Sequence, residues 1–136
     1  MIHPKPHEEK FKMKSEKNLL GNPLEACSLS PTTGFKRNGS CQHTKRDLGV
    51  HGVCSEVTDE FLKFTRDRGN DLSSPNELYG FPGLKPGDRW CLCASRWKEA
   101  LDNEVAPPVV LTATNEAVLR HISLDDLVKH ACEDSS

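Results

Sequence analysis

The side chains best suited to chemistry in this chain are its cysteines and one histidine. Cys91 and Cys93 stand one residue apart at the end of YGFPGLKPGDRWCLC, residues 79–93. On an extended segment alternate side chains share a face, so Arg89, Cys91 and Cys93 point one way and Trp90, Leu92 and Ala94 the other. Cys93 also lies just before an expected helix, whose N-terminal dipole favours an anion such as a thiolate, the nucleophilic form of cysteine. Arg89 on the same face would add positive charge. The competing reading is that both thiols pack as small apolar side chains between sheet and helix. A disulfide joining Cys91 to Cys93 would be strained at this spacing. His51, among small apolar residues after Asp47 and Gly49, suits a base toward a thiol or a substrate; otherwise it is a structural histidine bonded to a backbone carbonyl.

Other candidates carry weaker signals. Asn70 and Asp71, behind Gly69, form either a polar cluster at a cleft mouth or an Asx turn that bonds its own backbone. Arg66, Arg68 and Arg89 would make an anion site only if their loops converge; solvated surface charge is the default for the first two. Zinc held by some of Cys27, Cys41, Cys54, Cys91 and Cys93 with His43 or His51 lacks the paired Cys-x-x-Cys knuckle that typifies structural sites. On a strand, moreover, His51 and Cys54 would face opposite ways. Ser95-x-x-Lys98 has the spacing of a penicillin-binding nucleophile, but the companion motifs are missing. No glycine series has phosphate-loop spacing.

These residues must be placed by the elements around them. Thr58-Asp59-Glu60 starts a helix with a capping hydroxyl and two acids, Phe61, Leu62, Phe64 and Thr65 form its apolar face, and Gly69 ends it. Phe81-Pro82-Gly83 and Lys85-Pro86-Gly87-Asp88 suit two successive turns that deliver the chain into a strand near Arg89. Ser95 is placed to cap a second helix carrying Trp97, Ala100 and Leu101. Val109-Val110-Leu111 reads as a short strand. Thr114 would cap a third helix bearing Ala117, Val118 and His121. Ser123 would cap a fourth, with Leu124, Leu127, Val128 and Ala131 inward. Before residue 50, Asn38-Gly39 signals a hairpin, with Leu24 and Phe35 as core anchors.

The chain has 136 residues, 35% hydrophobic and 28% charged, and a net charge of −2. These values suit one soluble domain and give no global field for nucleic acid or an anionic membrane. No apolar run approaches the ~20 residues that span a bilayer. Residues 1–17 are rich in lysine and glutamate and read as a solvated, disordered tail without the apolar stretch of a secretory signal. Without an export signal, the six cysteines are expected to be reduced and cytoplasmic.

Several stretches resemble one family. Pro23-Leu24-Glu25-x-Cys27, Thr33-Gly34-Phe35, Arg68 to Ser73, the run Gly80 to Ala94 and Ala106 to Leu111 look like signatures of domain of unknown function 2237. The similarity covers Asn18 to Ala131. One departure is Ser40-Cys41, where the family pattern has two adjacent cysteines. The resemblance implies a small α+β cytosolic protein of bacterial type, and no activity.

The expectation is a single α+β domain over 18–132, a small sheet of short strands covered by about four helices, with tails at 1–17 and 133–136. Its working surface is a pocket between the 69–89 loop and the strand face bearing Arg89, Cys91 and Cys93, with His51 nearby. The favoured function is a noncatalytic module that binds a polar or anionic ligand, or a partner segment, through Arg89, Asp71, Asn70 and Cys91. The alternative is a cysteine-dependent enzyme or redox protein with Cys93 as nucleophile and His51 as base. A structural zinc module stands third. No cofactor, metal ligand, nucleic acid or membrane partner is nominated.

Overall fold

The computed structural model of the chain describes residues 16–132. The tail expectations for 1–15 and 133–136 lie outside the described residues. Glu16 and Lys17, assigned to the tail, are instead tied down. The Glu16 carboxylate accepts the His43 N–H and the Asn115 side-chain amide, both at 2.7 Å, and the Lys17 carbonyl accepts the Glu116 N–H at 2.9 Å.

The fold is α+β, built on a two-stranded antiparallel sheet of β1 (Val53–Glu56) and β2 (Arg89–Leu92). The register pairs Val53 with Leu92, Cys54 with Cys91, Ser55 with Trp90 and Glu56 with Arg89. Between the strands run α1 (Asp59–Asp67) and a loop holding one 3₁₀ turn, Glu77–Tyr79. After β2 come α2 (Ala94–Asp102), 3₁₀ segments at Leu111–Ala113 and Glu116–Arg120, and α3 (Leu124–Lys129). The expected strand at Val109 contributes single bridges to Ser55 and Ala131.

Three α-helices, not four, occur among the described residues. The expected helix capped by Thr114 is a 3₁₀ segment capped by Asn115, whose side chain accepts the Ala117 N–H at 2.9 Å. The Thr114 hydroxyl is already committed to the sheet: it donates to the Val110 carbonyl at 2.9 Å and accepts the Cys54 N–H at 3.1 Å. The cap falls to the next residue because the Thr114 hydroxyl is turned toward β1 and Val110 rather than toward the amides that follow.

Local chemistry explains the rest. Thr58 accepts the Phe61 N–H at 3.1 Å, as a cap should, and α1 buries Phe61, Leu62 and Thr65. In α3 only Leu127 is fully buried, while Leu124 and Val128 face outward. Phe61, Leu92, Trp97, Val118 and Leu127 centre one apolar core with Val53, each such side chain contributing about 1.5–3 kcal/mol. Trp97 also donates its indole N–H to the Pro107 carbonyl at 3.1 Å, which removes the cost of burying it unpaired.

The double bend works as a delivery device. The Asp88 N–H closes one turn on the Lys85 carbonyl at 3.0 Å, with Gly87 at φ 97°. Gly87 donates to the Val57 carbonyl and Val57 to the Asp88 carbonyl, both at 2.8 Å, so the turn feeds directly into the strand pair. At Gly83 a Cβ would collide with the Ser73 carbonyl, so the loop closes this tightly only with glycine there. The segment before residue 50 is irregular. Gly39 donates to the Thr33 carbonyl and accepts from Cys27, but the pairing is limited to isolated bridges such as Ala26 with Ser40. Phe35, an expected core anchor, is exposed, and Leu24 is half-buried.

Candidate functional site

A cavity of about 510 Å³ opens between the loop after α1, the turn at 34–37 and β2. Phe35, Tyr79, Phe81 and Trp90 give it aromatic walls, and Phe81 meets Trp90 in a tilted contact with centroids 5.1 Å apart. His51 and Cys93 line it, as do Asn70, Asp71 and Cys91.

The polar geometry concentrates around Gly49. Asp47, fully buried, directs both carboxylate oxygens at His51: Oδ1 meets the ring Nδ1 at 2.6 Å, and Oδ2 accepts the His51 backbone N–H at 2.8 Å. A carboxylate only accepts, so Nδ1 carries the proton and Nε2 of the neutral ring is left as a base. The His51 side chain is 41% exposed. Across Gly49 sits the Cys93 sulfur. A Cβ added to Gly49 would lie 3.1 Å from that sulfur and 3.2 Å from the His51 Cε1, so the two groups flank one point. The Cys93 thiol donates to the Gly49 carbonyl at 3.0 Å and lies 3.1 Å from the Ser95 hydroxyl.

Two structural features hold this cluster. Cys93, rather than Ser95, is the N-cap residue of α2, and its carbonyl accepts the Arg96 and Trp97 N–H groups at 3.0 Å. Ser95 lies in the first turn, where its hydroxyl serves the sulfur instead. The Ala94 N–H meets the carbonyls of Gly49 at 3.2 Å and Val50 at 3.0 Å, fastening the helix start to the His51 segment. Val50 itself has φ 50°, a left-handed conformation costly for a β-branched residue, on the order of 1–3 kcal/mol. Such strain collects where a structure must hold functional groups in place.

The other nominated residues fare differently. Asn70 donates its amide to the Thr65 hydroxyl at 3.0 Å. Asp71 accepts the N–H groups of Ser73 at 2.9 Å and Ser74 at 3.1 Å. The Ser74 hydroxyl first, then these backbone groups, lower the Asp71 pKa from its ordinary 3.8. Both residues line the cavity while holding its rim together. Arg89 is outside the lining: it lies 3.7 Å from Glu56, its cross-strand partner, at the far end of β2. The cation at the cavity is Arg37, which the sequence reading passed over. Its guanidinium sits 5.0 Å over the Trp90 ring and donates to the Gly34 carbonyl at 2.6 Å. Asp47 was likewise noticed without a role, although its place four residues before His51 was a usable signal.

The cysteines correct the expectation of six free thiols. Cys27 is bonded to Cys54 and Cys41 to Cys91, while Cys93 and Cys132 are free. Cys91 is therefore no ligand-binding thiol in this state. The four joined sulfurs sit with Cys132, Val110 and Ala113 in a second buried cluster. Spacing could not reveal these pairs, because each joins segments 27 or 50 residues apart.

Residues 17–131 match the model of a family described as an uncharacterized protein conserved in bacteria. A search of curated proteins finds no match. No helix among the described residues is long and apolar enough to cross a membrane.

Proposed function

We propose, from the premise that the chain belongs to the DUF2237 family, that it is a cysteine-dependent enzyme whose reaction occurs in the aromatic cavity. Cys93 is the nucleophile, His51 the base and Asp47 the residue that orients it. The observation that carries this reading is the buried Asp47 carboxylate, 2.6 Å from Nδ1 of a half-exposed histidine that shares Gly49 with the cavity thiol. A nucleophile, a base and a third group fixing the base is the arrangement by which weak nucleophiles are activated. In the reactive step the thiol proton passes to His51 Nε2 and the sulfur adds to a carbonyl-type carbon of the ligand, whose π electron pair moves onto its oxygen and takes the proton back from His51. The start of α2 favours the anionic sulfur while it exists. A cytoplasmic setting belongs to this reading.

The test is alkylation of the folded, full-length protein with iodoacetamide across pH. Cys93 should be modified first, and Asp47→Asn or His51→Ala should slow it by about 10²-fold, the scale of one positioned base. Equal rates for wild type and both variants, with Cys93 no faster than a cysteine in an unstructured peptide, would overturn the proposal.

A second reading keeps the cavity and drops the reaction. Arg37 stacked on Trp90 suits a polar or anionic ligand held against an aromatic wall. That module would bind its ligand equally well as Cys93→Ser, and Arg37→Ala would be the damaging change. Asn70 and Asp71 would act there by shaping the rim.

A further inference from the structure

We propose that Cys27, Cys41, Cys54 and Cys91 form a zinc-binding tetrathiolate in the reduced protein, so that the two disulfides and the metal centre are alternative states of one sulfur cluster. The sulfur atoms of Cys27, Cys41 and Cys54 all lie within 4.8 Å of one another. Cys91 is bonded to Cys41 and is the cross-strand partner of Cys54. A tetrahedral zinc with bonds of about 2.3 Å holds its four sulfurs about 3.8 Å apart. Cys27, Cys41 and Cys54 already stand near that spacing, and Cys91, held one bond from Cys41, is the donor that must swing in to complete the tetrahedron.

Burial supports the same assignment. Relative exposures are 6% for Cys27, 0% for Cys41 and Cys54, and 1% for Cys91. Val110 and Ala113 complete an apolar shell, as closed structural sites have. A site built of four soft sulfurs selects zinc over the oxygen-loving cations. Both bonds tie the 27–41 segment to the β1–β2 pair at one place, where four donors converge from four backbone segments. That segment has almost no regular structure of its own, so one ion would fasten it to the sheet.

The interconversion balances. Two equivalents of a dithiol reductant give up four electrons and four protons, become cyclic disulfides, and leave four cysteine thiols. Binding one Zn²⁺ then releases four protons. The test uses the full chain, reduced with a dithiol, freed of it without oxygen, and titrated with Zn²⁺, with Co²⁺ as a spectroscopic probe. Reduced protein should take up one equivalent, show the charge-transfer absorption of a Co²⁺ tetrathiolate, and have four of its six cysteines protected from alkylation by zinc. The disulfide form should bind none. Cys93→Ser should retain the site and Cys27→Ser should lose the four-sulfur spectrum. The proposal fails if reduced wild-type protein takes up no stoichiometric zinc. It fails equally if uptake survives Cys27→Ser but disappears in Cys93→Ser or His51→Ala, which would move the metal to the cavity.

Discussion

Cys91 and Cys93 leave the same strand end two residues apart, yet their surroundings share almost nothing. Cys91 lies 1% exposed among other sulfurs, Val110 and Ala113, joined to Cys41. Cys93 sits at the mouth of a helix, in contact with a carbonyl and a hydroxyl and across one glycine from an oriented imidazole. The first environment excludes water and joins the sulfur to a second one, which is where sulfur becomes structural. The second supplies a proton acceptor and an opening, which is where sulfur becomes reactive. Strand geometry alone placed both on one face. What separates them is the neighbour each meets: the crossing 27–41 segment covers Cys91, and the 47–51 turn borders Cys93.

The strongest way to break this division is to remove the structural half. The Cys27→Ala/Cys54→Ala pair, kept oxidised, should lose about 2–4 kcal/mol of stability in urea denaturation, because the bond closes a loop of 27 residues. Cys93 should remain the first thiol alkylated. If alkylation at Cys93 falls in step with stability, the two regions are one unit and the contrast is lost. A finer probe is Gly49→Ala. Its Cβ would press on the Cys93 sulfur at 3.1 Å and the His51 ring at 3.2 Å. Stability should change by less than about 1 kcal/mol, since an added alanine also restricts the unfolded chain. The alkylation rate of Cys93 should move several-fold, and an unchanged rate would show that sulfur and ring do not depend on that spacing.

The smallest effect belongs to the rim. The folded Asp71 carboxyl titrates below its ordinary 3.8, so its contribution is fully present above that value and is lost as pH falls through the lower folded value. Asp71→Asn should therefore be slightly less stable than wild type at neutrality, by the whole of this contribution, and converge on wild type as pH falls below 3.8, which flattens the acid limb. An Asp71→Asn curve that superimposes on wild type through the acid range would show that the turn does not depend on this charge.

The parts legible in the sequence are those decided within a few residues. Thr58 caps α1 because a hydroxyl three residues before an amide can reach it, and Lys85-Pro86-Gly87-Asp88 turns because proline and glycine supply the needed φ values. The caps at Thr114 and Ser95 misled because each hydroxyl has a distant or unexpected partner: the sheet for Thr114, a sulfur for Ser95. Arg89 misled for a similar reason, since the sheet register puts Glu56 opposite it at the end of the strand remote from Cys93.

What the sequence determined by itself was the α+β class, the first helix, the double bend and the family to which the chain belongs, all written in short-range patterns of caps, turns and apolar spacing. Only the tertiary structure decided which cysteines join, which cation reaches the cavity and that Asp47 stands behind His51. Side-chain chemistry at a site depends on contacts under about 4 Å, and here those contacts are made by segments that meet only once the chain has closed on itself.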